Sequence, residues 1–392
     1  MTKWLLFVAG YVVAANFGYA ALQVWLLQRR PSWPRWLAIG TVLWAAMMSG
    51  LFLLQAFGSP DSEPFVRDYL YFPMAVEMVW NLLMLPLIVP GMIIATLVVR
   101  LTRAVPPAQP LDAAAISRRQ FLYLAGCGAA PAVAAGMGLH GLLTQNDLRL
   151  RSFDIPVAGL PPELEGLTIA HVSDLHSGIF VGPERLKVMT DLTNDLKADL
   201  VVVTGDLINH EIEEFPGALA AIQRLEPKYG LYLCEGNHDV LPGAMLVVEA
   251  CRRNNLAMLW NETATLTIRG RRILIGGLPW LAPGPGTPPQ MVSNLFPARA
   301  EGDVRILLAH HPHFFDVSDS VDLLLSGHTH GGQIMFGDVG LGSLRFKYNS
   351  GRFHRGDMTM IVNNGCGDWF PCRIGAPAEV GLLRLTKAAT TS

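Results

Sequence analysis

Hydrophobic positions along the 392-residue chain follow two different rhythms. Up to about residue 143 they come as long unbroken runs. Beyond Gly166 they come as short runs separated by mixed-polarity stretches. A helix crossing the ~30 Å apolar core of a bilayer needs ~20 apolar residues. Four stretches, 4–27, 36–57, 72–99 and 121–143, meet that length, and the first, second and fourth contain no Asp, Glu, Lys or Arg. The third carries Glu77 and Asn81 near its start and Pro86 and Pro90 further in. Glu77 lies about one and a half turns from the segment's beginning, within reach of headgroups, and reads as interfacial. The pattern predicts an all-α transmembrane region of four helices: three spans within 1–103, a Pro/Ala-rich cytoplasmic linker at 104–120, and a fourth span at 121–143.

From Gly166 onward the alternation predicts a layered α/β domain over 151–392. Strand-like runs fall at 167–172, 200–204, 231–234, 257–260, 264–268, 273–277, 304–308, 322–325, 358–362 and 379–385. Helical patterns fall at 183–197, 215–225 and 244–253, the first with Pro183 at its opening turn. The close spacing of 257–260, 264–268 and 273–277 predicts antiparallel pairing, and 279–290 reads as a Pro/Gly-rich loop.

Charge gives the apolar half an orientation. Residues 1–150 hold 10 Lys/Arg against 6 Asp/Glu, and 151–392 hold 20 against 26, so the formal net charge of −2 joins a +4 half to a −6 half. Arg29, Arg30 and Arg35 follow the first span, and Arg100, Arg103, Arg118 and Arg119 follow the third, which places both loops in the cytoplasm. Both chain ends then lie outside, with Lys3 discordant. Ser117-Arg118-Arg119-Gln120-Phe121-Leu122 resembles a twin-arginine export signal; the plainer reading is a pair of arginines stopping a helix on its cytoplasmic side. Ala132-Val133-Ala134 is a weak cleavage candidate. The expected location is the multi-pass cytoplasmic membrane of a bacterium, with 151–392 extracytoplasmic. With 51% hydrophobic and 16% charged residues, a disordered or nucleic-acid-coating chain is excluded. None of the five cysteines forms a C-x-x-C pair, and Cys366 and Cys372 read as buried free thiols in preference to a disulfide.

Reactive residues gather just after the predicted strands: Ser173-Asp174-Leu175-His176, Thr204-Gly205-Asp206, Glu235-Gly236-Asn237-His238-Asp239, His310-His311-Pro312-His313 and Ser326-Gly327-His328-Thr329-His330. In open α/β sheets ligands bind outside the carboxyl ends of strands, so these five segments can converge on one crevice. Carboxylate, imidazole and amide oxygen without thiolate suit Mn, Fe, Zn or Co. In an extended segment Asp174 and His176 project to one side, His328 and His330 repeat that spacing, and Asp206 can bridge two ions. Ions ~3.5–4 Å apart can clamp a phosphate ester and acidify a water lying between them.

The ordered set D-x-H, GD, GNHD, H-H-P and GHTH, spread over 167–385, resembles the calcineurin-like metallophosphoesterases. The resemblance implies a four-layer αββα sandwich of two mixed sheets and two divalent metal ions. It would assign Asp174, His176, Asp206 and His330 to one ion and Asp206, Asn237, His310 and His328 to the other. It also implies His238 as the residue that assists the leaving group, with Asp239 as its orienting partner, and a metal-bridging hydroxide as nucleophile on a phosphodiester or phosphomonoester. Within the superfamily, Gly327–Gln333 (GHTHGGQ), Asn364-Gly365-Cys366-Gly367, Arg373-Ile374 and Pro377-Ala378-Glu379 resemble a bacterial membrane-associated phosphodiesterase-like branch. A membrane tether, by confining the domain to a thin layer beside the bilayer, points to a phospholipid or cell-envelope intermediate as substrate. A cytosol-facing UDP-2,3-diacylglucosamine pyrophosphohydrolase of lipid A synthesis is the alternative, against which the four-span topology speaks. A non-catalytic membrane sensor is another, against which the intact ligand set speaks.

Other residues carry plainer readings. His140, His210, His313 and His354 read as surface or core histidines, and His311 as a support for its neighbour. Arg352, Arg355 and Arg373 are either phosphoryl binders or solvated surface groups. Asn364 and Trp369 are candidates for shaping the pocket. Oligomeric state is not legible in the sequence.

Overall fold

The structure, a computed structural model, describes residues 136–243, 245–280 and 288–388, together with isolated helical positions between 13 and 133. The expected spans at 4–27, 36–57 and 72–99, the linker with Arg118 and Arg119, and most of 121–143 lie outside the described residues. Among the described residues no helix is long and apolar enough to cross a membrane. The chain divides into two units, Met1–Gly141 and Leu142–Ser392.

The second unit runs β1 (Leu148–Val157), β2 (Thr168–Val172), α1 (Pro183–Asp195), β3 (Leu200–Thr204), α2 (Phe215–Ile222), β4 (Gly230–Cys234), α3 (Leu246–Arg253) and β5 (Ala257–Met258). It continues through β6 (Glu262–Ile268), β7 (Arg271–Gly277), α4 (Pro288–Leu295), β8 (Val304–Leu308) and β9 (Leu323–Ser326). The short hairpin β10 (Met335–Phe336) and β11 (Val339–Gly340) precedes β12 (Gly351–Arg355), β13 (Met358–Val362) and β14 (Ala378–Lys387).

Two mixed six-stranded sheets result, in the orders β1-β14-β2-β3-β4-β5 and β12-β13-β9-β8-β7-β6. Strands such as Leu200–Thr204 (LVVVT) are buried along their whole length because each sheet is covered on both faces. Alternation along β3 sends Leu200 and Val202 to the space between the sheets, where they meet Ile275, Ile306, Leu308, Leu325 and Ile361. Val201 and Val203 point the other way, onto Leu186 and Met189 of α1, Ile222 of α2 and Val247 of α3. The outer face of the second sheet, through Leu274, Leu307 and Leu324, is covered by Val292 and Leu295 of α4 and by Phe314 and Phe315. The four layers expected from the family resemblance are therefore present in this unit.

Several local expectations are corrected. β1 was not foreseen; it adds to the sheet edge parallel to β14, from Leu148 opposite Ala378 to Val157 opposite Lys387. Its Leu-Arg-Leu-Arg alternation is the signal that marks it. β12 was also unforeseen. β6 and β7 pair antiparallel as expected, but β5 joins the other sheet, parallel to β4. The loop expected to reach residue 290 gives way to α4 at Pro288. Cys366 and Cys372 are buried free thiols.

Because the inter-sheet layer is closed, truncation there leaves a void. Leu325→Ala should lower stability by about 2–5 kcal/mol in denaturant unfolding, whereas Val188→Ala, at a position 54% exposed on α1, should change it by less than about 0.5 kcal/mol.

Candidate metal centre

The polar loops leave the carboxyl ends of β2, β3 and β4 in one sheet and of β8 and β9 in the other, so two sheets aim at one place. Asp174 and His176 do not reach it from an extended segment. Both adopt left-handed backbone, with φ of 53° and 45°, as do Asp206 at 52°, His328 at 71° and His330 at 51°. Such conformations cost about 1–3 kcal/mol each for ordinary residues and persist only where the surroundings enforce them. Here the amides of Asp174 and His176 donate to the carbonyls of Gly205 and Asp206 at 3.0 Å each, lacing the two loops together. Glycines admit the close approach: a Cβ at Gly236 would overlap Asp206 Oδ1, and one at Gly327 would overlap Ser173 Oγ and Asp174 Oδ2.

Two ligand-like groups emerge. In the first, His330 Nε2 lies 3.1 Å from Asp174 Oδ1 and 3.0 Å from His176 Nε2. In the second, His310 Nε2 lies 3.1 Å from Asp206 Oδ2, and Asn237 Oδ1 lies 3.1 Å from His310 Nε2 and 2.6 Å from His328 Nδ1. Asp206 Oδ2 is also 3.6 Å from His176 Nε2, so this one carboxylate stands between the groups. Potential ligand atoms of Asp174, His176 and His330, of Asp206, His310 and His328, and of His176, Asp206 and His238 each fall within 4.8 Å of one another. All seven residues expected to hold metal thus meet, drawn from five turns that follow β2, β3, β4, β8 and β9.

Electrostatics favours cations here. Burial works against ionisation of Asp174 and Asp206, yet the surrounding imidazoles hold both carboxyls below their ordinary range. Burial pushes His176 and His328 well down, keeping their lone pairs available. His310 behaves oppositely: despite burial, Asp206 and Asp174 hold it up at about 10. That reflects two carboxylates seeking positive charge, which a divalent cation supplies more strongly than a proton. A buried donor set of carboxylates, imidazoles and an amide oxygen fits Mn, Fe or Zn.

The loops beneath are braced. His310 Nδ1 donates to the Thr204 carbonyl at 2.6 Å, leaving Nε2 directed at Asp206. Ser173 Oγ donates to the same carbonyl at 3.1 Å. Asp239 does not orient the His238 ring as expected. Its carboxylate accepts the backbone amides of Asp206 (2.9 Å), Leu207 (2.8 Å) and Gly236 (2.9 Å), tying the GD turn to the GNHD turn. Burial and the Asp206 charge raise this carboxyl to about 7. The His238 ring is held through Nδ1 on the Asn209 carbonyl, while its own amide donates to Asp206 Oδ1 at 2.7 Å. Its ring stands edge-on to His176, with centroids 4.5 Å apart.

Arg373, one of the three arginines read as phosphoryl binder or surface group, is 1% exposed. It ion-pairs with Asp368, donates to the carbonyls of Asn364, Gly365, Gly367 and Ala376, and comes within 3.4 Å of His330 Nδ1. Arg352 and Arg355 bond elsewhere, to the Asp154 carbonyl and to Asp319. Sequence reading missed Trp280 and Phe346, whose rings lie 4.9 and 5.1 Å from that of His328. It also missed Gln333 as a brace: its amide donates to the Phe370 and Cys372 carbonyls at 2.7 and 2.8 Å. Gln333 closes the GHTHGGQ run, a signal for its importance. Trp280 and Phe346 lie in loops with no motif to mark them.

Residues 167–332 match the family described as calcineurin-like phosphoesterase. A Bacillus subtilis metallophosphoesterase, YkoQ, is 30% identical over 60% of this chain and 89% of its own length. A zebrafish protein named transmembrane protein with metallophosphoesterase domain is 29% identical over 65% of this chain and 62% of its own. A Caenorhabditis elegans metallophosphoesterase is 31% identical over 49% of this chain and 42% of its own, so the chain spans less than two thirds of the worm and zebrafish relatives. The converging loops, their five motifs and the span shared with YkoQ place this chain in the calcineurin-like metallophosphoesterase family.

Proposed function

We propose that the chain is a membrane-anchored phosphohydrolase dependent on two divalent metal ions, acting on phosphodiesters or phosphomonoesters of a phospholipid or cell-envelope intermediate. The observation that carries the catalytic part is the Asp206 carboxylate, 3.1 Å from His310 and 3.6 Å from His176, between the two groups of ligand-like side chains. Asp174, His176, Asp206 and His330 would hold one ion, and Asp206, Asn237, His310 and His328 the other. When bound, such ions polarise phosphoryl oxygens and acidify water. The protein's own part is to hold those donors rigidly and to manage the proton on the departing oxygen. His238 is suited to the latter, because Asn209 fixes its Nδ1 and the ring is only partly buried, leaving Nε2 for the ester. Asp239 serves the same end indirectly, by holding the Asp206 and Asn237 turns in register.

The long apolar runs before residue 144 and the name of the zebrafish relative support membrane attachment. The arginine-rich loops support an extracytoplasmic domain.

Purified full-length chain supplied with Mn²⁺ should hydrolyse bis(nitrophenyl) phosphate. His238→Ala should lower kcat by about 10²–10⁴-fold, and Asp206→Asn should abolish detectable turnover. Wild-type rates in both variants would overturn the mechanism. Chelation should remove activity and Mn²⁺ or Zn²⁺ should restore it, whereas activity that survives exhaustive chelation would exclude a metal requirement. Gly236→Ala, which pushes a methyl group into Asp206, should lose activity while far-ultraviolet circular dichroism stays that of wild type; full activity would show that the close packing there is dispensable.

A further inference from the structure

We infer that the rim beside the Asp174–His176–His330 group is a docking surface for a lipid bilayer, which turns the mouth of the site toward the headgroup layer. The inference rests on the membrane-anchored reading above and adds which face of the domain meets the lipid. Among the described residues of Leu142–Ser392, nine large apolar side chains are exposed, and five of them, Leu143, Ile179, Phe336, Val339 and Trp369, attach to one segment, 368–374. Phe336 and Val339 are 62% and 65% exposed on the β10–β11 hairpin, whose Met335 amide donates to the Ile374 carbonyl at 2.7 Å. The Trp369 amide donates to Gln333 Oε1 at 3.2 Å, in the run leading into that hairpin. Ile179 precedes Phe180, whose carbonyl accepts from Arg185, the same guanidinium that bonds Asp368 at 2.6 Å and the Gln145 carbonyl at 3.1 Å. Leu143 precedes Thr144, whose hydroxyl donates to the Arg373 carbonyl at 3.0 Å.

That last contact selects the occupant. Residues 121–143 form an apolar run without formal charge, and the chain leaving it is fastened at Thr144 to the very segment that carries the apolar rim. If the run crosses a bilayer, the rim faces that bilayer. Its chemistry suits the boundary: apolar patches of this kind mark interaction surfaces, and Trp, Phe and Leu side chains partition into the headgroup region. Each arm also continues from the site, since Ile179 follows His176 by three residues, Phe336 follows His330 by six, and Gly367, two before Trp369, donates its amide to the Asp174 carbonyl at 2.7 Å.

The test uses the full chain on a Cys127→Ser background, spin-labelled at Phe336→Cys and reconstituted in phosphatidylcholine–phosphatidylglycerol vesicles. Glu301→Cys, an exposed position at the opposite end of β8 from the site, is the control. Oxygen should relax the label at 336 more than a water-soluble nickel chelate does, with the order reversed at 301. A nickel-dominated label at 336, or chain that fails to float with the vesicles, overturns the inference. So does spin–spin broadening that disappears on dilution with unlabelled chain, since it assigns the rim to a second copy. Turnover of soluble bis(nitrophenyl) phosphate by the Phe336→Cys chain should match wild type. Absence of turnover in both would defeat the phosphoesterase reading while leaving the depth measurement to judge the rim.

Discussion

Two buried carboxylates that must keep their charge, Asp174 and Asp206, are the constraint around which this domain is organised. Gathering anionic oxygens and imidazole lone pairs into a space with little water is unfavourable unless positive charge or backbone donors answer them. Asp206 is answered on one oxygen by the His238 amide and on the other by His310, and Asp174 by the His328 amide and His330. The remaining lone pairs converge with those of His176, His328 and Asn237, the arrangement that a pair of divalent cations would satisfy.

The fold serves that convergence. Two sheets packed face to face point their carboxyl ends the same way, so loops distant in sequence arrive together without long excursions. The price is backbone strain, since five of the ligand-like residues sit at positive φ. Bracing groups that never enter the centre hold that strain: Asp239 receives four amides from two turns, and Arg373 fills the space under His330 with donors aimed at carbonyls. Their burial separates them from the groups that a substrate could touch.

Much of this is legible in the sequence. A run such as LVVVT announces a buried strand because both faces are apolar, and the motifs that follow such runs mark the ends where ligands bind. The D-x-H and H-x-H spacings suggest extended segments, but in the structure their side chains share a side because left-handed turns aim them. Sequence spacing cannot distinguish those routes. Nor could it reveal that Asp239 binds amides rather than the neighbouring imidazole, that Arg373 lies inside, or that β5 joins the first sheet. For Asp239 and β5 the deciding contacts span tens of residues, and for Arg373 they are mostly carbonyls of its own loop, whose inward turn no motif announces. β1 was passed over because its charged alternation belongs to a sheet edge, where the apolar signal is weakest.

The central claim is that one carboxylate, Asp206, joins two cation sites into a single unit. Titration of the metal-free full-length chain with Zn²⁺, followed by calorimetry and by elemental analysis of the washed protein, tests it most directly. The account predicts two ions per chain in the wild type and weakened binding at both sites in Asp206→Asn. Two tightly held ions in Asp206→Asn, or fewer than two in the wild type at saturating Zn²⁺, would contradict it.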